Sequence, residues 1–334
     1  MKNCHLLLGV LLLSVFCNAQ KIHEPSELFK LMEESPVKYG LQNLKTPIPS
    51  KDYSKELNQL NCYRVIEDSS INTVAYNLRD SAQFFFKKAE ALFDSNPDSS
   101  LYYYTLMRVE QPELYFGLTY SGQLFEQKGD LHTAIAWYKE SISKNFIDYM
   151  AHWFLADAYA AIGELDKALD EIVIAQILNR NNERIKKSMT AILKKAKLKY
   201  EDWYFTPQIE LKGTLGKEVS ISIDSKWLGY GLAKAFWEFE PGYRQSMGVN
   251  SSEFSMTEYK ECLYCLLVSL ENSKLKIKKI PQLRILREAA LNKYLNEYIL
   301  YEVLLPEHPF AAFQLTEKNI SDIKDYILNV RYKK

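Results

Sequence analysis

Glycine and proline are scarce in this chain, at 12 and 11 of 334 residues, which points away from a turn-rich protein and toward helices. Excess charge of either sign is also missing, since 42 lysines and arginines balance 42 aspartates and glutamates. No net field therefore draws the chain to nucleic acid or to an anionic membrane surface. No apolar run reaches the roughly 20 residues of a membrane-spanning helix. Catalytic templates are lacking too. His23, His132, His152 and His308 are dispersed, with no HExxH pair and no Cys/His spacing of a zinc site. There is no GxSxG elbow and no phosphate loop, so neither a cofactor nor a metal is expected.

What is present is enough apolar material for a sizeable core, 47% hydrophobic against 25% charged, with 23 tyrosines suited to packing between helices. The N-terminus has the form of a cleaved export signal: Met1-Lys2-Asn3, the apolar run His5 to Phe16, then Cys17-Asn18-Ala19 before Gln20. Cleavage after Ala19 implies a periplasmic or extracellular protein. Bulky Phe16 before Cys17 speaks against a lipoprotein. The mature chain keeps Cys62, Cys262 and Cys265, so any disulfide leaves one thiol over. Cys262 and Cys265 have a redox-like spacing but lie in an apolar helical pattern, which favours two small residues on a buried face.

Residues 115–182 repeat themselves. One offset of 34 residues aligns Gly122 with Ala156, Phe125 with Tyr159, Gly129 with Gly163, Leu131 with Leu165, Ala134 with Ala168 and Ser141 with Ala175. Small residues at these places let two antiparallel helices cross closely, and Gly129 and Gly163 suit a turn with positive φ. The pattern resembles the tetratricopeptide repeat (TPR), a helix-turn-helix unit that stacks into a superhelix. The fold implied is all-α, an α-α superhelix of TPR helix pairs, followed by a mainly α C-terminal domain containing a short β-hairpin.

The expected organisation is a signal peptide at 1–19, an N-terminal arm and linker at 20–70 lying on the helical body, a TPR domain at 71–203, and a C-terminal domain at 204–334. Repeats fall at about 81–114, 115–148 and 149–182, with a capping helix after Asn182 whose lysines form a polar outer face. The first repeat is degenerate, because Lys87-Lys88 stand where a large apolar and a small residue belong. The helical pattern begins near Ile71, and Asn96-Pro97-Asp98 splits two helices. Ser26, Thr257 and Thr316 are expected caps and Pro281 a first-turn residue. Gln208–Gly213 and Lys217–Asp224 read as a hairpin around Gly216. Gly229 to Lys234 lacks the third glycine of a dinucleotide fingerprint and reads as a strand-to-helix turn.

The sharpest catalytic set is Glu238, Glu240, Glu307 and His308, which would supply an acid and a base. Glu238 and Glu240 are two residues apart and point to different sides of a helix, so a hydrolase using Glu307 and His308 ranks below non-catalytic readings.

The TPR resemblance implies a concave groove lined by the first helix of each repeat. Its candidate residues are Phe116, Thr119, Gln123 and Glu126, then Met150, Trp153, Asp157 and Ala160. The lysines, arginine and asparagine of a carboxylate clamp are absent from these positions. The leading function is therefore a protein-interaction or assembly scaffold of the cell envelope, with a protein or peptide partner in the groove. In a competing version the groove is filled by the chain's own N- or C-terminal segment. The alternative is a glycan- or small-ligand-binding protein, with Trp227 and Trp237 as the residues to test.

Overall fold

The computed structural model describes residues 22–53, 62–67, 70–199, 201–249, 254–272, 277 and 279–332. The expected leader at 1–19, with Cys4 and Cys17, lies outside the described residues. From the N-terminal side, α1 (Pro25–Glu34) leads into β1 (Lys38–Asn43), and β2 (Cys62–Glu67) and β3 (Ser70–Ala75) form an antiparallel ribbon. The helical array follows as α2 (Asp80–Leu92), α3 (Pro97–Glu110), α4 (Phe116–Gln127), α5 (Leu131–Lys144), α6 (Tyr149–Ala161), α7 (Leu165–Leu178) and α8 (Glu183–Lys195).

The pairs form as their chemistry dictates. Gly129 and Gly163 take φ of 79° and 87° between the helices of their pairs, a conformation that costs any side-chain-bearing residue. Asp130 then caps α5, its Oδ1 accepting from Thr133 N at 3.1 Å, and Asn96 caps α3 through Ser99 N at 3.1 Å. A Cβ on Gly122 would stand 2.4 Å from the Tyr138 ring, which fixes how closely α4 and α5 cross. The degenerate first repeat is a complete pair: Ala82 and Ala89 bury the inner side of α2, while Lys87 and Lys88 face solvent.

The helical pattern expected from Ile71 starts later, at Asp80. Ile71, Thr73 and Val74 belong to β3, where β-branched side chains favour a strand once β2 pairs with it. Ser26 is not a cap either, because Pro25 opens α1 and Glu24 and Glu27 form the capping box.

Downstream come β4 (Ile209–Gly213), β5 (Glu218–Ile223), a 3-10 turn at Ser225–Trp227, α9 (Leu228–Phe239), α10 (Tyr243–Ser246) and α11 (Met256–Asn272). Then follow α12 (Pro281–Leu291), α13 (Leu295–Tyr298), a π-helical turn at Ile299–Leu304, α14 (Leu305–Glu307), a 3-10 turn at Pro309–Gln314, α15 (Glu317–Tyr326) and a last π turn at Ile327–Arg331. The expected hairpin is β4–β5, and the arm adds β1 parallel to β5, giving the order β1-β5-β4. Gly229 and Gly231 sit inside α9 rather than in a turn, since α9 is squeezed from both sides. A Cβ on Gly229 would meet Cys265 O at 2.2 Å, and one on Gly231 would meet Ile223 Cδ1 at 2.2 Å. Thr257 lies within α11, and Ser255 Oγ accepts from Glu258 N at 3.3 Å; Thr316 does cap α15.

The N-terminal arm lies on the C-terminal half. Glu261, fully buried, accepts from His23 N at 2.8 Å, Trp237 Nε1 at 2.6 Å and the Tyr243 hydroxyl at 2.8 Å. Ile48 exchanges two backbone hydrogen bonds with the Gln208 amide, at 2.9 and 3.1 Å. One apolar core runs from Tyr138, Ile172 and Met189 of the array into Trp237, Leu304 and Ile323 beyond residue 203. A second, smaller core around Tyr104, Met107 and Leu124 serves the first repeat. Among the described residues, no helix is long and apolar enough to cross a membrane.

Candidate functional site

α4 touches α6 and α6 touches α8, which places the first helix of each pair on the inside of the array. The eight groove candidates divide along this surface. Phe116 and Thr119, at the start of α4, are buried, 8% and 2% exposed, and are unavailable to a partner. Phe116 packs under Tyr76 and Phe86, with ring centres 5.1 and 5.6 Å away. Thr119 donates to Asp148 Oδ2 at 2.6 Å, and Ser141 reaches the same oxygen at 3.1 Å, so this triad ties three helices together. Asp148 also caps α6 through the N–H groups of Met150 and Ala151.

Gln123, Glu126, Met150, Trp153, Asp157 and Ala160 are half-buried. Trp153 stacks on Phe154 at 5.0 Å. Glu126 accepts from the Tyr138 hydroxyl at 2.6 Å, and Asp157 accepts from Ser188. Burial raises the pKa of both carboxyls from their ordinary values, against the lowering effect of these hydroxyls. Asp157 adds to the rise at Glu126 by charge repulsion.

A small half-open recess lies beside the buried end, lined by Cys62, Tyr76, Phe116, Tyr120, Tyr149 and Met150. Its wall is the chain's own ribbon, held by a residue the groove reasoning missed. Asn145 Nδ2 donates to Cys62 O at 3.0 Å, and Asn145 Oδ1 accepts from Arg64 N at 3.2 Å. A signal for this residue was present in the period itself. Gln111, Asn145 and Asn179 follow one another at 34 residues, each closes the second helix of a pair, and each is buried.

The catalytic set does not assemble. Glu240 is taken up by the arm, accepting from Ser35 Oγ at 2.6 Å and the Tyr39 hydroxyl at 2.8 Å. Glu238, Glu307 and His308 are exposed, and Glu307 accepts from the Tyr53 hydroxyl at 3.2 Å. Trp227 and Trp237 are 2% and 0% exposed, so neither offers a ring to a sugar. Cys62, Cys262 and Cys265 are free and buried, and Cys262 and Cys265 lie on the buried side of α11. Burial pushes the thiols of Cys62 and Cys265 up to about 12 and that of Cys262 well above its ordinary value.

The helical array is TPR-like. Similar solved structures include the first TPR of Spaghetti (RPAP3) bound to an HSP90 peptide, 16% identical over 35% of this chain and 94% of that one, with a TM-score of 0.33. Another is the Yersinia enterocolitica type III secretion chaperone SycD in complex with a peptide of the translocator YopD, 17% identical over 35% and 96%, TM-score 0.33. A third, a tetratricopeptide repeat protein from Parabacteroides merdae, is 13% identical over 74% and 99%, TM-score 0.27. No family model and no curated protein matches the chain. The repeat architecture rests on the helix pairs of this chain, not on these likenesses.

Proposed function

We propose that this chain is a non-catalytic protein-interaction scaffold that holds a segment of a partner along the inner helices α4 and α6. The observation carrying this reading is the half-buried stretch where Trp153 stands with Glu126 and Asp157. It offers an aromatic ring next to two carboxylates that burial has partly stripped of water. A partner segment presenting an apolar side chain and a lysine or arginine would gain both ring contact and a charge-assisted hydrogen bond there. Phe116, packed against Tyr76 and Phe86, and buried Thr119 are not available, so the partner occupies only the part beyond Thr119.

The leader-like sequence at 1–19 supports a setting in the cell envelope, and cross-linking with mass spectrometry on the exported protein would name the partner. A peptide covering the cross-linked segment should then bind the wild-type chain, with Trp153→Ala or Glu126→Lys weakening binding roughly tenfold or more. Unchanged binding by Trp153→Ala together with lowered stability would mean that Trp153 serves only the chain's own packing.

A further inference from the structure

We infer that the first helix pair is a self-association surface, and that two copies of this chain join by it about a two-fold axis. In a stacked array every pair buries one face on the pair before it and one on the pair after it. The pair α2–α3 has no helix pair before it among the described residues. Instead of a polar cap it presents large apolar side chains to solvent: Phe84 is 55% exposed, Tyr102 60% and Val109 74%. Phe84 and Tyr102 are parts of one ledge, and Val109, seven residues after Tyr102, shares its side of α3. Phe84 meets Phe85 at 5.7 Å, Phe85 meets Tyr103 at 6.4 Å and Tyr103 meets Tyr102 at 5.5 Å. A continuous aromatic ledge at the end of an array is surface that a partner covers.

The occupant is selected by what the other end of the array looks like. Head-to-tail stacking would place the last pair of one copy on the first pair of the next, yet that end is already buried against the C-terminal half. Lys324 pairs with Asp170 at 2.9 Å, Arg180 with Glu302 at 3.4 Å, and Asn181 donates to Pro306 O at 2.8 Å. Of the contacts two copies could make through this face, that leaves the same face of the second copy, an isologous contact that closes at two. Charge agrees with this arrangement. Lys88, four residues after Phe84, has its Nζ 5.7 Å from that ring, and Glu110, seven residues after Tyr103, shares its side of α3. A two-fold axis sets Lys88 of each face toward Glu110 of the other, whose carboxylate is held over the start of α2 by Ser81 Oγ at 2.7 Å. Helices of 13 and 14 residues are each about 20 Å long, so the face sits at the small end of specific interfaces and gives a reversible dimer.

Sedimentation velocity of the full chain over a micromolar concentration series tests the inference. The expected result is a monomer–dimer equilibrium whose midpoint Tyr102→Glu moves up by roughly tenfold or more, with helicity unchanged by circular dichroism. Lys88→Glu and Glu110→Lys should each weaken the dimer, and the double variant should restore it. Val109→Ser gives a milder perturbation of the same ledge and should also weaken it. A monomer throughout, species larger than a dimer, a dimer indifferent to Tyr102→Glu and Val109→Ser, or a double variant no better than the single ones would overturn it.

Discussion

Gln111 and Asn145 stand one repeat apart and grip extended backbone in the same way. Gln111 donates to Asn77 O at 2.9 Å and accepts from Arg79 N at 3.0 Å; Asn145 does the same with Cys62 O and Arg64 N. Each amide therefore takes the carbonyl of one residue and the N–H two residues on, as a neighbouring strand would. Asn145→Ala leaves both backbone groups of β2 without their partner and should cost about 1–3 kcal/mol by chemical denaturation. The next residue in the period, Asn179, has an Oδ1 without a hydrogen-bond partner, so Asn179→Ala should cost clearly less. Equal losses for the two variants would remove the asymmetry.

The buried charges between the array and the C-terminal half should make them unfold together. Glu302 is 2% exposed and accepts from Arg331 Nε at 2.9 Å, Arg180 at 3.4 Å and the Tyr326 hydroxyl at 3.0 Å. Glu302→Gln leaves two arginines without their shared counter-charge and should cost about 3–5 kcal/mol. Wild type should show one transition by circular dichroism and by tryptophan fluorescence. Two separate transitions would contradict a shared core.

Glu126 and Asp157 should contribute stability that falls as pH rises from the acid side toward neutrality. Both carboxyls have folded-state pKa values raised mainly by burial, so the folded chain holds these protons more tightly than the unfolded one. Their contribution is complete below the unfolded value of about 4 and is lost as pH climbs through the raised folded value. Glu126→Gln should flatten that part of the thermal-midpoint profile and melt higher than wild type at neutral pH. An unchanged slope in Glu126→Gln would rule Glu126 out as a source.

Two glycines should respond differently to alanine. Gly163 has φ of 87° and open space where a Cβ would go, so Gly163→Ala should cost only backbone strain, about 1–2 kcal/mol. At Gly229 the obstacle is the backbone carbonyl of Cys265, which has no rotamer to escape into. Gly229→Ala should cost more than Gly163→Ala, because α9 has to move off α11. Thermal unfolding of the pair gives the ranking.

The three thiols of the described chain should resist alkylation in the folded state. Cys62, Cys262 and Cys265 are buried and their pKa values are raised, so the reactive thiolate is scarce at pH values near 8. Labelling should follow unfolding in denaturant. Rapid reaction of Cys262 or Cys265 under native conditions would reopen the redox reading of their spacing.

Much of the array was legible because its information is local and repeated. Gly129, Gly163, Asn96-Pro97 and the small residues Gly122 and Ala134 each report a turn, a cap or a close crossing within one helix pair, and a 34-residue period multiplies the signal. The candidate site was half legible. Period and face placed Gln123, Glu126, Trp153 and Asp157 on the inner helices, but burial of Phe116 depends on Tyr76, which arrives from outside the repeat. From Ile71 on, β3 carries a pattern that also suits a helix, because a short β-branched segment has no marker of the partner strand that makes it a strand.

The sequence alone determined the helix pairs and their turns, since backbone conformation and helix crossing are set by neighbours along the chain. Tertiary structure decided the rest. It laid β1 beside β5, spent Glu240 and Glu261 on the N-terminal arm, and buried Trp227 and Trp237. It also buried Phe116 against Tyr76 and Phe86. These pairings join residues tens to hundreds of positions apart, and their energies come from burying groups that no local pattern brings together.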